Sequence, residues 1–140
     1  MKKTDLKKTI KNILLIRTDR IGDVVLTTPA VTLLKNQYPD SKIFFLTRKY
    51  TAPLLKHHLF IDEIILYIPD TIHRGLRGIY KLAKELKYQN IDVAFLFYPT
   101  PALAFALRVA KIPFRVGSGY RWYSFLFNHR IFEHRSQALK

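Results

Sequence analysis

Asp23 is the residue of this chain best placed to do chemistry. It closes the stretch Asn12-Ile13-Leu14-Leu15-Ile16-Arg17-Thr18-Asp19-Arg20-Ile21-Gly22-Asp23 and is followed by Val24-Val25-Leu26-Thr27-Thr28-Pro29-Ala30. The order is an apolar run, a polar turn, and a helical pattern that begins with an acid. An acid in the first turn of a helix meets unpaired backbone N–H groups and the positive end of the helix dipole, which favour its ionised form. A carboxylate held in this way can take a proton from a bound hydroxyl. The same place also suits an acid that merely caps a helix, and the residue alone does not separate the two roles.

The elements that must position Asp23 follow from hydropathy. Ile13 to Ile16 is an unbroken apolar run, as in a strand covered on both faces of a parallel sheet. Gly22 is expected to supply the backbone freedom of the turn. Strand-like runs then alternate with longer amphipathic segments, which predicts βα units and an α/β fold: a Rossmann-like parallel sheet with flanking helices. Strands are expected over residues 12–17, 42–47, 63–68, 91–97 and 115–117, with a last one over 129–132. Helices are expected over 22–37, 50–56, 71–87 and 101–110, with a helical turn at 122–126. Pro29 should kink or break the first helix.

In such sheets ligands bind beyond the carboxyl ends of the strands, so Arg17, Arg20, Arg48 and Lys49, which follow the first two strands, should share a rim with Asp23. Guanidinium groups there match phosphate or carboxylate oxygens in paired hydrogen bonds. The helix over 71–87 carries Ile72, Leu76, Ile79, Leu82, Ala83 and Leu86 on a side expected to face the sheet, and Arg74, Arg77, Lys81 and Lys84 elsewhere. That basic stripe reads first as a solvated face. Arg74 and Arg77, near the helix start, are placed to hold a phosphate or a sugar carboxylate, whereas Lys81 and Lys84 lie farther down, toward solvent or lipid.

Composition bounds the partners. The chain has 140 residues, enough for one domain, with 24 Lys plus Arg against 10 Asp plus Glu, a net charge of +14. That excess favours a nucleic acid, an anionic membrane leaflet or a phosphorylated glycolipid. Residues 1–11 read as a basic N-terminal arm carrying Lys2, Lys3, Lys7, Lys8 and Lys11, and residues 12–140 as the domain. No apolar run is long enough to span a bilayer, no signal peptide is legible, and the absence of cysteine suits a cytoplasmic protein.

Arg17-Thr18-x-x-x-Gly22-Asp23, followed by Thr27-Thr28-Pro29-Ala30, resembles the opening motif of the family 9 glycosyltransferases, the ADP-heptose:lipopolysaccharide heptosyltransferases. The resemblance continues through Tyr38-Pro39-Asp40-Ser41-Lys42-Ile43, Ile61-Asp62-Glu63-Ile64-Ile65, Ile91-Asp92-Val93-Ala94 and Pro113-Phe114-Arg115-Val116-Gly117. It implies the N-terminal, acceptor-binding half of a GT-B transferase, truncated before the donor domain. It also implies inverting transfer of heptose from ADP-heptose to a lipopolysaccharide core acceptor, with Asp23 as catalytic base. Arg17 takes a substrate-facing role by resemblance, and Arg121 in the loop Gly117-Ser118-Gly119-Tyr120-Arg121 takes another. The expected substrate-binding set is Arg17, Thr18, Arg20, Gly22, Arg48, Arg74 and Arg121. The implied partners are an anionic glycolipid, the cytoplasmic face of the inner membrane and a separate donor-domain chain. No cofactor is expected beyond the ADP-sugar donor.

Other chemistries find little support. His57 and His58 are adjacent, His73 stands alone, and His129 and His134 lack an acid at ligand spacing, so no metal is expected. There is no Gly-x-Gly-x-x-Gly after the first strand and no phosphate-binding Gly-x-x-x-x-Gly-Lys-Ser/Thr. Ser41, Ser118, Ser124 and Ser136 lack a nucleophile elbow. Gly117 and Gly119 read structurally as turn positions with positive φ. The competing function is a non-catalytic basic module that docks on an anionic membrane or nucleic acid. Nucleic acid is disfavoured because Phe44, Phe45, Phe95 and Phe97 lie inside strand patterns. Tyr120, Trp122, Tyr123 and Phe125 are the exception, with packing as their simpler use.

Overall fold

The computed structural model describes residues 10–118 and 129–131. Six strands form one parallel sheet: β1 (Asn12–Ile16), β2 (Lys42–Arg48), β3 (Glu63–Tyr67), β4 (Val93–Leu96), β5 (Phe114–Ser118) and β6 (His129–Ile131). Their spatial order is β3-β2-β1-β4-β5-β6, so the strand that leads to Asp23 lies at the centre. Leu15 of β1 is in register with Phe45 of β2 and Phe95 of β4. The helices are α1 (Ile21–Gln37), α2 (Ala52–Leu55), α3 (Gly75–Tyr88) and α4 (Pro101–Val109).

The unbroken apolar runs are explained by two cores. Successive side chains of a strand point to opposite faces. Ile13, Leu15, Ile43 and Phe45 pack with Val24 and Val31 of α1 and Leu55 of α2. Leu14, Ile16, Phe44 and Leu46 pack with Leu82 and Leu86 of α3 and Leu103 and Leu107 of α4. Each such side chain, withdrawn from water, contributes about 1.5–3 kcal/mol. The Ile-Asp segments have a separate task at the amino ends of the strands. Asp92 accepts from the backbone N–H groups of Lys11 at 2.8 Å and Asn12 at 2.9 Å, and Asp62 accepts from that of Ile43 at 2.7 Å. Ile10 is already buried, so the chain is tied to the sheet before β1 begins.

Four expectations are corrected. The break expected at Pro29 does not occur, since α1 runs through it. A proline removes an N–H and frees the carbonyl four residues back; here that carbonyl is Val25 O, and the Thr28 hydroxyl donates to it at 2.7 Å. The helix over 71–87 starts late, at Gly75, whose φ is +66°. Before it a turn is closed by the His73 N–H donating to Ile68 O at 2.8 Å and by His73 Nδ1 accepting from the Ile68 N–H at 2.9 Å.

The third correction concerns the apolar side expected over 71–87, of which Leu82, Ala83 and Leu86 are buried but Leu76, and Ile72 in the turn before α3, are exposed. Gly78 packs inward in the first turn instead, against the His73 backbone, and Leu76 is left outside. Finally, Gly117 lies in β5, paired with Arg130, because the strand runs on to meet β6. It is therefore no left-handed turn position. Gly119, Tyr120 and the aromatic residues 122, 123 and 125, like the helical turn expected over 122–126, lie outside the described residues.

Candidate active site

The site grows from the carboxyl end of β1. Arg17 still donates its backbone N–H to Leu46 O at 3.1 Å, which fixes the point where its side chain leaves the sheet. Its guanidinium grips Asp19 in a fork, Nε to Oδ1 at 2.9 Å and Nη2 to Oδ2 at 3.1 Å. The same Nη2 stands 3.5 Å from Asp23 Oδ1. One arginine thus bridges two acids of unequal accessibility, the Asp19 side chain being 12% exposed and that of Asp23 35%. Asp19 is committed to holding Arg17; Asp23 is open to a ligand.

Asp23 is the third residue of α1, whose cap residue Arg20 makes no side-chain capping bond. Among the described residues the polar partner of the Asp23 carboxylate is Arg17, not a first-turn amide. The helix-capping role is therefore unfilled, and among the described residues no hydrogen-bond donor reaches Asp23 Oδ2. Gly22 beside it is exposed, and a Cβ built there meets nothing within 4 Å. Its φ is not left-handed, so the turn needs no glycine for its backbone. What the glycine leaves is room next to the carboxylate.

The loop after β2 closes the other side. The Tyr50 hydroxyl donates to the backbone oxygen of Asp19, joining the two rim loops. Thr51 Oγ1 donates to Arg48 O at 3.0 Å, so Thr47 is the donor in the 2.5 Å bond between the two buried threonine hydroxyls. Arg48 lies over the Tyr50 ring, 6.0 Å from its centroid, and pairs with Asp70 at 3.4 Å. Because Asp70 is 84% exposed, that pair holds Arg48 only loosely. Tyr67, at the end of β3, has its phenol pushed to a higher pKa by burial, with Arg48 opposing and Asp70 adding to the shift. Among the described residues no three His, Asp or Glu side chains are grouped as metal ligands, and no helix is long and apolar enough to cross a membrane.

No family model matches the chain. Individual relatives do. A Haemophilus influenzae protein named "Putative glycosyltransferase" is 30% identical over 131 residues, covering 94% of this chain and 37% of its own length. Lipopolysaccharide heptosyltransferase 3 of Escherichia coli K12 is 32% identical over 99 residues, 68% of this chain and 28% of the relative. The family 9 glycosyl transferase of Veillonella parvula superposes with a TM-score of 0.81 at 21% identity, over 89% of this chain and 37% of that one. The chain is similar in sequence to a glycosyltransferase and a heptosyltransferase, and in fold to a family 9 structure. E. coli ADP-heptose lps heptosyltransferase II has the same fold, with a TM-score of 0.73 at 22% identity over 89% of this chain. The chain spans about a third of the length of the curated relatives it matches. Its Rossmann-like sheet is that of the GT-B structures it superposes on.

Within the family 9 motif the structure gathers Arg17, Gly22 and Asp23 at one point and adds two residues that sequence reasoning missed, Asp19 and Tyr50. Asp19 was legible as an acid two residues after Arg17; Tyr50, 31 residues away from Asp19, left no local signal. Thr18 is buried below this surface, and Arg20 is exposed on it. Arg48 stands one strand over. Arg74 caps α3 beyond the edge strand β3, two strands from β1 or about 10 Å across the sheet. Arg121 lies outside the described residues.

Proposed function

We propose that this chain is the acceptor-side half of an inverting glycosyltransferase of the lipopolysaccharide heptosyltransferase type, with Asp23 as the general base. The observation that carries the reading is the Asp19–Arg17–Asp23 bridge, which leaves one carboxylate oxygen of Asp23 free and accessible. The acceptor hydroxyl oxygen bonds to the anomeric carbon of the donor sugar while its proton passes to Asp23. The bond between that carbon and the diphosphate breaks on the opposite face, and ADP leaves. Arg17, 3.5 Å from Asp23 Oδ1, orients the carboxylate before transfer. After Asp23 is protonated the guanidinium remains paired with Asp19, so no charge is stranded.

The space above Gly22 admits the acceptor sugar. Arg20 and Arg48, the second held only by an exposed partner, suit the phosphates or acidic sugars of a lipopolysaccharide precursor. Relatives named as heptosyltransferases support ADP-heptose as the donor. The residues that grip it belong to a donor half, supplied by a longer protein or by a separate chain, and the reaction takes place on the cytoplasmic side of the inner membrane.

The test is glycosyl transfer from ADP-heptose to a lipid A-type acceptor, with this chain alone and joined by a donor half, each beside Asp23→Asn. Transfer is expected only with the donor half, and the variant should lose about 10²–10⁴-fold of it while keeping acceptor binding. An Asp23→Asn protein with undiminished turnover would remove the base from the mechanism.

A further inference from the structure

The outer face of α3 has no role in the site. Its inward residues Gly78, Leu82, Ala83 and Leu86 are buried, the opposite side presents Tyr80 and Tyr88 at 56% and 83% exposure, and Leu76, 85% exposed, lies on the flank of that side in the first turn. Interleaved with these are Arg77, Lys81, Lys84 and Lys87, all exposed. Positions 77, 80, 81, 84, 87 and 88 repeat at three and four residues and share one face. The Lys84 Nζ sits 5.0 Å from the centre of the Tyr80 ring, so cation and aromatic project together. Between Asp70 and Asp92 the one acid is Glu85, 3.4 Å from His73 Nε2.

We propose that this face of α3 docks on the surface of an anionic lipid bilayer. A basic helix with exposed leucine and tyrosine matches the interface of a membrane. The aliphatic side chain enters the acyl boundary, the tyrosine rings lie at headgroup level and the cations meet anionic headgroups. The charge of the chain, +14, is complementary to such a surface. A second copy of the chain would set like charges against each other on this face. A nucleic acid would leave Leu76 without an apolar partner.

The helix begins at Gly75, after β3, and its start lies at the same rim as Asp23. A bilayer along α3 therefore brings lipid headgroups to the edge of the candidate site. This deepens the glycosyltransferase reading and rests on it for the identity of the acceptor alone; membrane docking is measured without turnover.

The experiment is co-sedimentation of the chain with vesicles of phosphatidylcholine, with and without added phosphatidylglycerol. Binding is expected only with phosphatidylglycerol, to weaken as salt is raised, and to persist in Asp23→Asn. Lys81→Gln combined with Lys84→Gln should weaken it by roughly 25-fold, about fivefold for each cation near the surface. Leu76→Ser, Tyr80→Ser and Tyr88→Ser together should weaken it by at least about tenfold, with an unchanged circular-dichroism melt because all three are exposed. Leu26→Ser with Leu33→Ser, exposed residues of α1 on the opposite side of the sheet, should leave it intact. Equal loss from the α1 pair, no binding to phosphatidylglycerol vesicles, or binding to RNA that survives the three α3 serines in place of vesicle binding would each overturn the proposal.

Discussion

Gly22→Ala should make the protein more stable and less active. At this position the new methyl group meets no atom within 4 Å, and the backbone is already helical with no left-handed φ. Neither steric clash nor strain opposes the change. Replacing glycine by alanine in a helix gains up to about 1 kcal/mol, chiefly because the unfolded chain has less freedom to lose. Near the helix start about half of that is realised, so a rise in Tm of roughly 1–2 °C is expected for a domain of this size. The methyl group would, however, stand in the space beside Asp23 that an acceptor sugar has to fill. Displacing a reacting hydroxyl by about 1 Å costs on the order of 10²-fold in rate. The assay is a thermal melt of the two proteins followed by transfer with the donor half present. A lower Tm would mean that the glycine serves the fold; unchanged transfer would mean that nothing occupies the space above it.

Other positions separate structural from chemical roles. Gly78→Ala runs against helix propensity: its Cβ would lie 2.0 Å from the His73 carbonyl carbon, so α3 must retreat by about 1.5 Å to restore a normal carbon contact. Overpacking against backbone outweighs the propensity gain, and a net loss of about 2 kcal/mol, read as a Tm lower by roughly 8 °C, is expected. Thr28→Ala leaves Val25 O without its donor and should cost about 1 kcal/mol in denaturant unfolding, a loss that vanishes when Pro29→Ala restores the amide. Asp19→Asn releases the fork on Arg17 and should lower kcat about 10–100-fold, less than Asp23→Asn, with KM for the donor unchanged in steady-state assays. Because burial raises the Tyr67 pKa in the folded state, stability is complete below the ordinary tyrosine value near 10 and falls as pH rises beyond it. Tyr67→Phe should flatten that decline in pH-dependent melts.

The parallel sheet was legible because its strands are buried on both faces, and runs such as Ile13 to Ile16 and Phe44 to Leu46 carry that burial as uninterrupted apolar sequence. Asp23 was legible because its motif is local, six residues from Arg17 with the turn between them. The other half of the site depends on contacts that the chain reaches only by folding. Tyr50 meets Asp19 because β1 and β2 are neighbours, and nothing near either residue announces it. Pro29 misled because its usual effect assumes an unpartnered carbonyl, and the preceding threonine supplies the partner. Leu76 misled because helical spacing says nothing about where the sheet ends; the first turn of α3 rests on the His73 turn through Gly78.

Because α1 runs on through Pro29, Asp23 and the proline share one helix. Asp23 lies six residues before Pro29, about 9 Å along the axis. A hinge there that flexed by about 5° would swing the carboxylate by roughly 0.8 Å, near the displacement at which transfer rates collapse. By closing the gap that the proline opens, the Thr28 hydroxyl would hold the proposed base in aim from more than a helical turn away. A protein lacking it would lose catalytic accuracy before it lost its fold.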